Sequence, residues 1–270
     1  MLPASWGPVD ANISILFTEL PMLERPAAAR AAGFTAIEAW WPFASAGPAD
    51  AEITSFERAV RDAGVELVSL NGFAGDMAAG DRGILSWPGR EREFTDNVDL
   101  VLELGGRLGC DHFNLLYGNR QDGTDPAAQD ELALEQLTKA ATAAQRAGAT
   151  IVIEPLSGAS AYPLRTADDV LAVIDRLPPN AMMLADLYHL CVNGEDLPAV
   201  LDRVHARIGH VQVADVPGRH EPGTGTADLD SWVGRLRDLG YQGSIGLEYA
   251  PLHSTAEGLA ELARRSGSNR

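Results

Sequence analysis

The sequence has little positive charge for its length. Its 270 residues include 21 lysines and arginines against 38 aspartates and glutamates, which gives a formal net charge of −17 at pH 7. An excess of negative charge repels nucleic-acid phosphates and anionic lipid headgroups. We therefore expect neither a nucleic acid nor a membrane as a partner.

Lysine and cysteine are both scarce. Lys139 is the only lysine, and it lies in the run 131–148, whose pattern predicts an amphipathic helix far from any strand end. Because imine chemistry needs a lysine amine held at the active site, lysine-dependent aldolases and pyridoxal enzymes are nearly excluded. The two cysteines, Cys110 and Cys191, are too few for a disulfide framework or a zinc ribbon.

Long hydrophobic runs are also missing. No segment approaches the roughly 18 uninterrupted apolar residues that a membrane-spanning helix needs, and the first residues lack the basic and then apolar order of a signal peptide. With 46% hydrophobic and 22% charged residues, the composition is that of a globular protein with a sizeable core. We expect a cytoplasmic protein.

Short apolar runs that predict strands alternate with longer runs that predict helices. Several predicted helices end at a glycine just before the next strand, among them Gly64, Gly109 and Gly148. Eight such β/α units predict an α/β protein with a (β/α)₈ TIM barrel fold, formed by residues 1–270 as a single domain with a frayed tail at 266–270. The predicted strands are 12–17, 36–40, 66–71, 112–117, 150–154, 182–186, 210–214 and 244–248.

An open, doubly wound sheet is the competing architecture. It would usually carry a glycine-rich phosphate loop after its first strand. The first predicted strand instead runs into Thr18-Glu19-Leu20-Pro21, which contains no glycine, and this favours the barrel. The segment 72–89, rich in glycine and aspartate, follows the third strand, where a barrel would hold it over the carboxyl ends of the strands as a lid.

Four of the last strands carry an oxygen-bearing side chain near their carboxyl ends. Because barrel strands direct such groups to one face, we expect these four to converge. Three carboxylates held together repel one another unless a proton or a cation intervenes, and oxygen ligands suit Mg²⁺ or Mn²⁺. The pattern predicts a divalent-metal site, with solvated strand ends as the alternative. The four residues are Glu154, Asp186, Gln212 and Glu248.

Five further polar residues are candidates for substrate binding. His189 lies three residues after Asp186, and the charged loop that contains Arg219 and Glu221 follows the seventh strand. Asn71 ends the third strand, and Arg82 in the expected lid could close over an anionic substrate. A structural histidine and a solvated charged loop are the alternatives for these positions.

Several strings together resemble the hydroxypyruvate isomerase family, within the xylose isomerase-like barrels of sugar isomerases and epimerases. The strings are Gly80-Asp81-Arg82-Gly83, Asp186-Leu187-Tyr188-His189, His210-Val211-Gln212 and Arg219-His220-Glu221-Pro222-Gly223. The resemblance implies that Glu154, Asp186, Gln212 and Glu248 hold the metal. It also implies that Glu154 and Glu248 are the catalytic acid/base pair.

The function implied by the resemblance is a metal-dependent aldose–ketose type isomerase. It would act through an enediolate on a small hydroxy-oxo acid, such as hydroxypyruvate converted to tartronate semialdehyde. A 2-oxo-tetronate isomerase, a ketose epimerase, a dehydratase and a non-catalytic metabolite-binding barrel stay open as alternatives. A homo-oligomer is compatible with the resemblance, although no heptad pattern predicts one.

Four positions depart from the pattern of the family, and they leave the substrate open. These are Met77, Ser157, Cys191 and Thr226.

Overall fold

Eight parallel strands form a closed barrel in the computed structural model, which describes residues 3–267. Each strand pairs with the next in chain order, and β8 closes the barrel against β1. The predicted (β/α)₈ fold is therefore confirmed. The strands are β1 Val9–Asn12, β2 Ala36–Ala39, β3 Glu66–Asn71, β4 His112–Asn114, β5 Thr150–Ile153, β6 Ala181–Asp186, β7 Ile208–Val213 and β8 Ile245–Leu247.

Helices connect successive strands. The second helix shows why they pack on the barrel, since Ile53, Phe56 and Val60 recur at helical spacing and are all buried. This helix ends at Gly64 and the third at Gly109, both in the left-handed conformation that the sequence predicted. The helices are α1 Arg25–Ala31, α2 Asp50–Ala63, α3 Glu91–Leu108, α4 Pro126–Arg146, α5 Ala167–Ile174, α6 Leu187–Val192, α7 Leu197–Val204, α8 Leu229–Asp238 and α9 Thr255–Gly267.

The first strand was predicted too late in the sequence. It ends at Asn12, where the prediction for 12–17 had it begin. The Asn12 side-chain oxygen accepts the backbone N–H of Ser14, and its carbonyl accepts that of Leu16, so the chain turns immediately after this residue. Because the turn satisfies these backbone groups locally, the apolar residues that follow pack as a buried loop.

Two helices also differ from the prediction. The short helix α6 was not predicted, and it begins directly at the end of β6. Helix α9 includes residues 266 and 267 of the expected frayed tail, whereas residues 268–270 lie outside the described part of the chain.

The barrel interior is mostly apolar but contains a group of buried polar side chains. Asp10, Glu38 and His210 come from β1, β2 and β7, and their ligand atoms lie within 4.8 Å of one another. Since β8 and β1 separate β7 from β2 in the barrel wall, these side chains meet through the interior. Gly246 on β8 leaves the room, because a Cβ there would stand 2.8 Å from a Glu38 carboxylate oxygen.

Asp10 is the least satisfied member of this group. It is fully buried, and neither carboxylate oxygen has a hydrogen-bond partner among the described residues. Burial, together with the nearby negative charge of Glu38, raises the pKa of Asp10 from 3.8 to about 7, although His210 and the neighbouring Ser244 hydroxyl oppose the shift. The folded protein therefore holds a proton on Asp10 at pH values where the unfolded chain releases it.

The Asp10→Asn substitution should make stability less dependent on pH. Folding raises the pKa of Asp10, so the wild type loses stability as the pH rises from about 4 to about 7, whereas asparagine cannot ionise. Urea unfolding gives the free energy of unfolding at several pH values. The value for the variant should rise relative to that of the wild type by up to about 1.4 kcal/mol per pH unit. A constant difference between pH 5 and pH 8 would contradict the assignment.

Candidate active site

The four strand-end residues meet at the carboxyl ends of the barrel strands. Glu154 and Glu248 directly follow β5 and β8, Asp186 ends β6, and Gln212 is aligned with Asp186 on β7. None is a solvated strand end, because their exposed fractions are between 1% and 5%. Carboxylates buried this deeply need partners or a counter-charge.

Helix α6 brings His189 to the cluster. Asp186 caps this helix by accepting the N–H of Tyr188 with Oδ1 at 2.8 Å, and its Oδ2 stays directed to the site. One turn of helix then places His189 Nε2 at 3.5 Å from Asp186 Oδ2 and 3.7 Å from Glu154 Oε1. The ligand atoms of these three residues lie within 4.8 Å of one another, which brings the oxygens of Asp186 and Glu154 close enough to share a metal ion.

Ser157 fixes the tautomer of His189. The backbone N–H of Ser157 donates to His189 Nδ1 at 3.0 Å, and the hydroxyl lies 2.7 Å from the same nitrogen. Burial lowers the pKa of His189 to about 4, so the ring is neutral at pH 7. Because Nδ1 accepts, Nε2 carries the proton and can donate to an oxygen atom in the site.

Arg219 supplies positive charge above the carboxylates. One terminal nitrogen, Nη2, donates to Glu248 Oε1 at 2.8 Å and to Asp186 Oδ2 at 3.2 Å. The backbone of Arg219 has a φ of +59°, which is strained for a residue other than glycine. The Ala250 N–H holds it in place by donating to its carbonyl at 2.7 Å. The buried Nε of Arg219 has no partner in the described structure.

The two glutamates have high pKa values. Burial, reinforced by the neighbouring carboxylates, raises the pKa of Glu154 well above its usual range, and Asn114 opposes this by donating to Oε2 at 2.8 Å. Burial likewise raises the pKa of Glu248 to about 8, against the charge of Arg219 and the Trp40 indole N–H that donates to Oε1 at 3.1 Å. Both carboxyl groups therefore hold a proton more tightly than an exposed glutamate does.

Gln212 provides the observation that tests whether the cluster suits a metal ion. Its Nε2 donates to Glu38 Oε1 at 2.7 Å, and its Oε1 is buried without a hydrogen-bond partner. This amide oxygen and the three carboxylates of the cluster are all hard oxygen donors. Such a set of donors fits a divalent cation. The residues present therefore suit the expected group.

A cleft adjoins the cluster on the side of β2 and β3. Its volume is about 460 Å³, and its wall includes Trp40, Trp41 and Phe43 after β2. Asn71 at the end of β3 and Met77 in the segment 72–89 also line it. The segment expected to act as a lid thus contributes to a pocket beside the candidate site.

Two candidate substrate-binding residues, Glu221 and Arg82, bond to backbone groups. Both carboxylate oxygens of Glu221 lie 3.2 Å from the N–H of Leu252, so this side chain ties together the loops after β7 and β8. Arg82 donates through Nη1 to the carbonyls of Asp81 and Met77 at 2.6 and 3.2 Å. Its charge is nevertheless close enough to help lower the pKa of His189.

Four residues support the site in roles that the sequence analysis did not assign to them. Glu154 is hydrogen-bonded by Asn114, His189 by Ser157 and Glu248 by Trp40. Gln212 is hydrogen-bonded to Glu38. Asn114 and Glu38 lie on predicted strands like the four that were found, so their position was a usable signal. The contact of Ser157 with His189 spans 32 residues and could not be inferred from local spacing.

Comparison with known proteins agrees with this geometry. Residues 26–265 match the sequence model of the family described as Xylose isomerase-like TIM barrel. The chain belongs to this family. A relative from Streptomyces coelicolor, provisionally named hydroxypyruvate isomerase, is 51% identical over 90% of this chain and 90% of its own length. A 2-oxo-tetronate isomerase from Cupriavidus necator is 37% identical, over 93% of this chain and 96% of its own.

A solved structure shares the whole architecture. The crystal structure named AP endonuclease, family 2, from Brucella melitensis superposes with a TM-score of 0.87 and 33% identity, over 95% of this chain and 98% of its own. The two curated relatives are both named isomerases, which confirms the expectation of an isomerase. Among the described residues, no helix is long and apolar enough to cross a membrane.

Substituting Asp186 by Asn should weaken the binding of a divalent ion without unfolding the protein. The amide removes one of the charges that would hold the ion, and asparagine can still cap α6 in place of aspartate. Titration calorimetry with Mn²⁺ should show a clear loss of affinity, with unchanged far-ultraviolet circular dichroism as the control for folding. An unchanged affinity would place the ion elsewhere.

Proposed function

We propose that this chain is a divalent-metal-dependent isomerase of small hydroxy-oxo acids, with hydroxypyruvate as the first substrate to test. The observation that carries the proposal is the buried pair Glu154 and Glu248, which a chain of polar contacts links through His189, Asp186 and Arg219. Binding alone does not need two carboxyl groups poised for proton transfer. The names of the curated relatives support the same class of reaction.

Arg219 and His189 are the proposed groups for binding the substrate. The N–H groups of the Arg219 guanidinium that do not bond Glu248 or Asp186 can hold a substrate carboxylate by paired hydrogen bonds. The neutral imidazole of His189 can donate from Nε2 to a hydroxyl or carbonyl oxygen of the substrate. Together they would orient a small anion over the two glutamates.

The glutamates would move one proton between neighbouring carbons. In hydroxypyruvate, one glutamate takes a proton from the carbon that bears the hydroxyl, which leaves an enediolate. The other glutamate delivers a proton to the former carbonyl carbon, and a proton passes from one oxygen to the other, giving tartronate semialdehyde. One glutamate must accept a proton and the other must donate one, which are roles that carboxyl groups commonly fill.

Glu154, Asp186, Gln212 and Glu248 are the residues proposed to hold the metal ion, with Mg²⁺ or Mn²⁺ expected from their oxygen ligands. When bound, such an ion supplies Lewis acidity that makes the carbon-bound proton easier to remove.

A 2-oxo-tetronate is the second candidate substrate, favoured by the name of the relative from Cupriavidus necator. Ketose epimerisation and dehydration begin with the same proton abstraction and remain alternatives on this scaffold. A nucleic-acid substrate, which the name of the Brucella structure suggests, is disfavoured by the net charge of −17.

A substrate panel tests the proposed function. Hydroxypyruvate, a 2-oxo-tetronate, dihydroxyacetone and several ketoses would be incubated with the Mg²⁺- or Mn²⁺-loaded protein and followed by nuclear magnetic resonance. We expect the fastest turnover with one of the two acids. Faster turnover of an uncharged ketose would replace the acid by a sugar, and no turnover at all would favour a binding role.

Replacement of either Glu154 or Glu248 by Gln should reduce turnover at least about 100-fold, in line with the usual contribution of a general acid or base. Glutamine keeps the size of the side chain and one oxygen ligand but cannot transfer the proton. Metal content must be measured beside the rate, because both residues are also proposed ligands. A metal-loaded variant with normal turnover would remove that glutamate from the mechanism.

Arg219→Lys should damage the reaction of acids more than that of uncharged substrates. Lysine keeps the charge but not the paired N–H groups that grip a carboxylate. We expect a selective loss in kcat/KM of about 10- to 100-fold for hydroxypyruvate relative to dihydroxyacetone. An equal loss on both substrates would assign Arg219 to holding Asp186 and Glu248 alone.

A further inference from the structure

The orientation of the Gln212 side chain is decided below the site, inside the barrel. An amide can point either its oxygen or its nitrogen towards a given neighbour, and only the oxygen is a ligand for a hard cation. In this structure Nε2 points down to Glu38 Oε1 at 2.7 Å, and the buried Oε1 is left without a partner. The bond to Glu38 therefore engages the nitrogen and leaves the oxygen as the amide atom without a partner.

Glu38 is suited to make that selection because its Oε1 acts as a hydrogen-bond acceptor towards two amide groups. It is 1% exposed, and its own position is fixed from two sides of the barrel. The amide of Asn12 donates to Oε1 at 3.0 Å, and His210 Nε2 lies 2.5 Å from Oε2. Gly246 leaves no side chain in the space that the carboxylate occupies.

We infer that Glu38 is a positioning residue, whose carboxylate holds the Gln212 amide so that Oε1 faces the metal site. This assignment rests on the proposed metal site and extends it by one layer into the barrel. Glu38 touches neither substrate nor ion in this account. Partners of metal ligands commonly change metal affinity about 10- to 100-fold when they are altered.

The contacts of Glu38 also explain why the interior cluster with Asp10 and His210 is assigned to positioning instead of a second metal site. Each of its two oxygens already has nitrogen partners, from Gln212 and Asn12 on one and from His210 on the other. The carboxylate that lacks partners is Asp10, which makes no hydrogen bond to Gln212 in the described structure.

Two substitutions separate the reach of the carboxylate from its charge. Glu38→Asp keeps the charge but withdraws the oxygens from Gln212 Nε2, whereas Glu38→Gln loses the charge but keeps one acceptor oxygen at the original distance. The dissociation constant for Mn²⁺ alone is measured by titration calorimetry on metal-free protein. Thermal melting of the metal-free variants reports separately on folding.

We expect Glu38→Asp to weaken Mn²⁺ binding by about 10-fold or more. Glu38→Gln should weaken it much less. In a double-mutant cycle, Glu38→Asp should cause no further loss in the Gln212→Ala background, because Glu38 acts only through that side chain. A role in stability alone would lower the melting temperature but would not depend on Gln212.

Three results would overturn the assignment. The first is an equal loss of Mn²⁺ affinity in Glu38→Asp and Glu38→Gln, and the second is an Mn²⁺ affinity that neither substitution changes. The third is a double variant in which the losses of affinity from Glu38→Asp and Gln212→Ala multiply. Absence of Mn²⁺ binding to the wild-type protein would instead overturn the proposed metal site, and the positioning role with it.

Discussion

The mutual repulsion of Glu154, Asp186 and Glu248 is the constraint on which the site depends. All three are buried at the carboxyl ends of β5, β6 and β8, where water screens their charges poorly. The chain offsets the repulsion with Arg219, whose guanidinium bonds two of them, and by leaving two carboxyl groups with high pKa values. A bound cation would complete the balance. The same arrangement leaves the site with carboxyl groups able to exchange protons.

The barrel supplies the rigidity that this arrangement needs. Each carboxylate comes from a different strand and has its own supporting contact, such as the amide of Asn114 on Glu154 and the indole of Trp40 on Glu248. Arg219 reaches them from a loop held in a strained backbone conformation. Below them, Glu38 and its partners extend the polar network into the barrel interior. The site is therefore a property of several strands together and not of one motif.

The fold could be predicted from the sequence because hydrophobic periodicity and helix-terminal glycines report on local structure. The same periodicity placed Glu154, Asp186, Gln212 and Glu248 at strand ends, which a barrel brings together. It failed at β1, where the Asn12 side chain turns the chain earlier than the apolar run suggested. It also could not show that Glu221 is bound to the backbone of Leu252, or that Ser157 fixes His189, because these contacts join residues 31 and 32 positions apart.

The most direct test of the central claim follows the origin of one hydrogen atom. If one glutamate removes a proton and the other delivers one, the delivered proton is not the one that was removed. It comes from a side chain that exchanges its proton with water. In D₂O, tartronate semialdehyde formed from hydroxypyruvate and observed directly by nuclear magnetic resonance at early times should carry deuterium at the carbon that was the carbonyl of the substrate. Transfer to that carbon of the hydrogen removed from the neighbouring carbon of the substrate would contradict proton transfer by two glutamates.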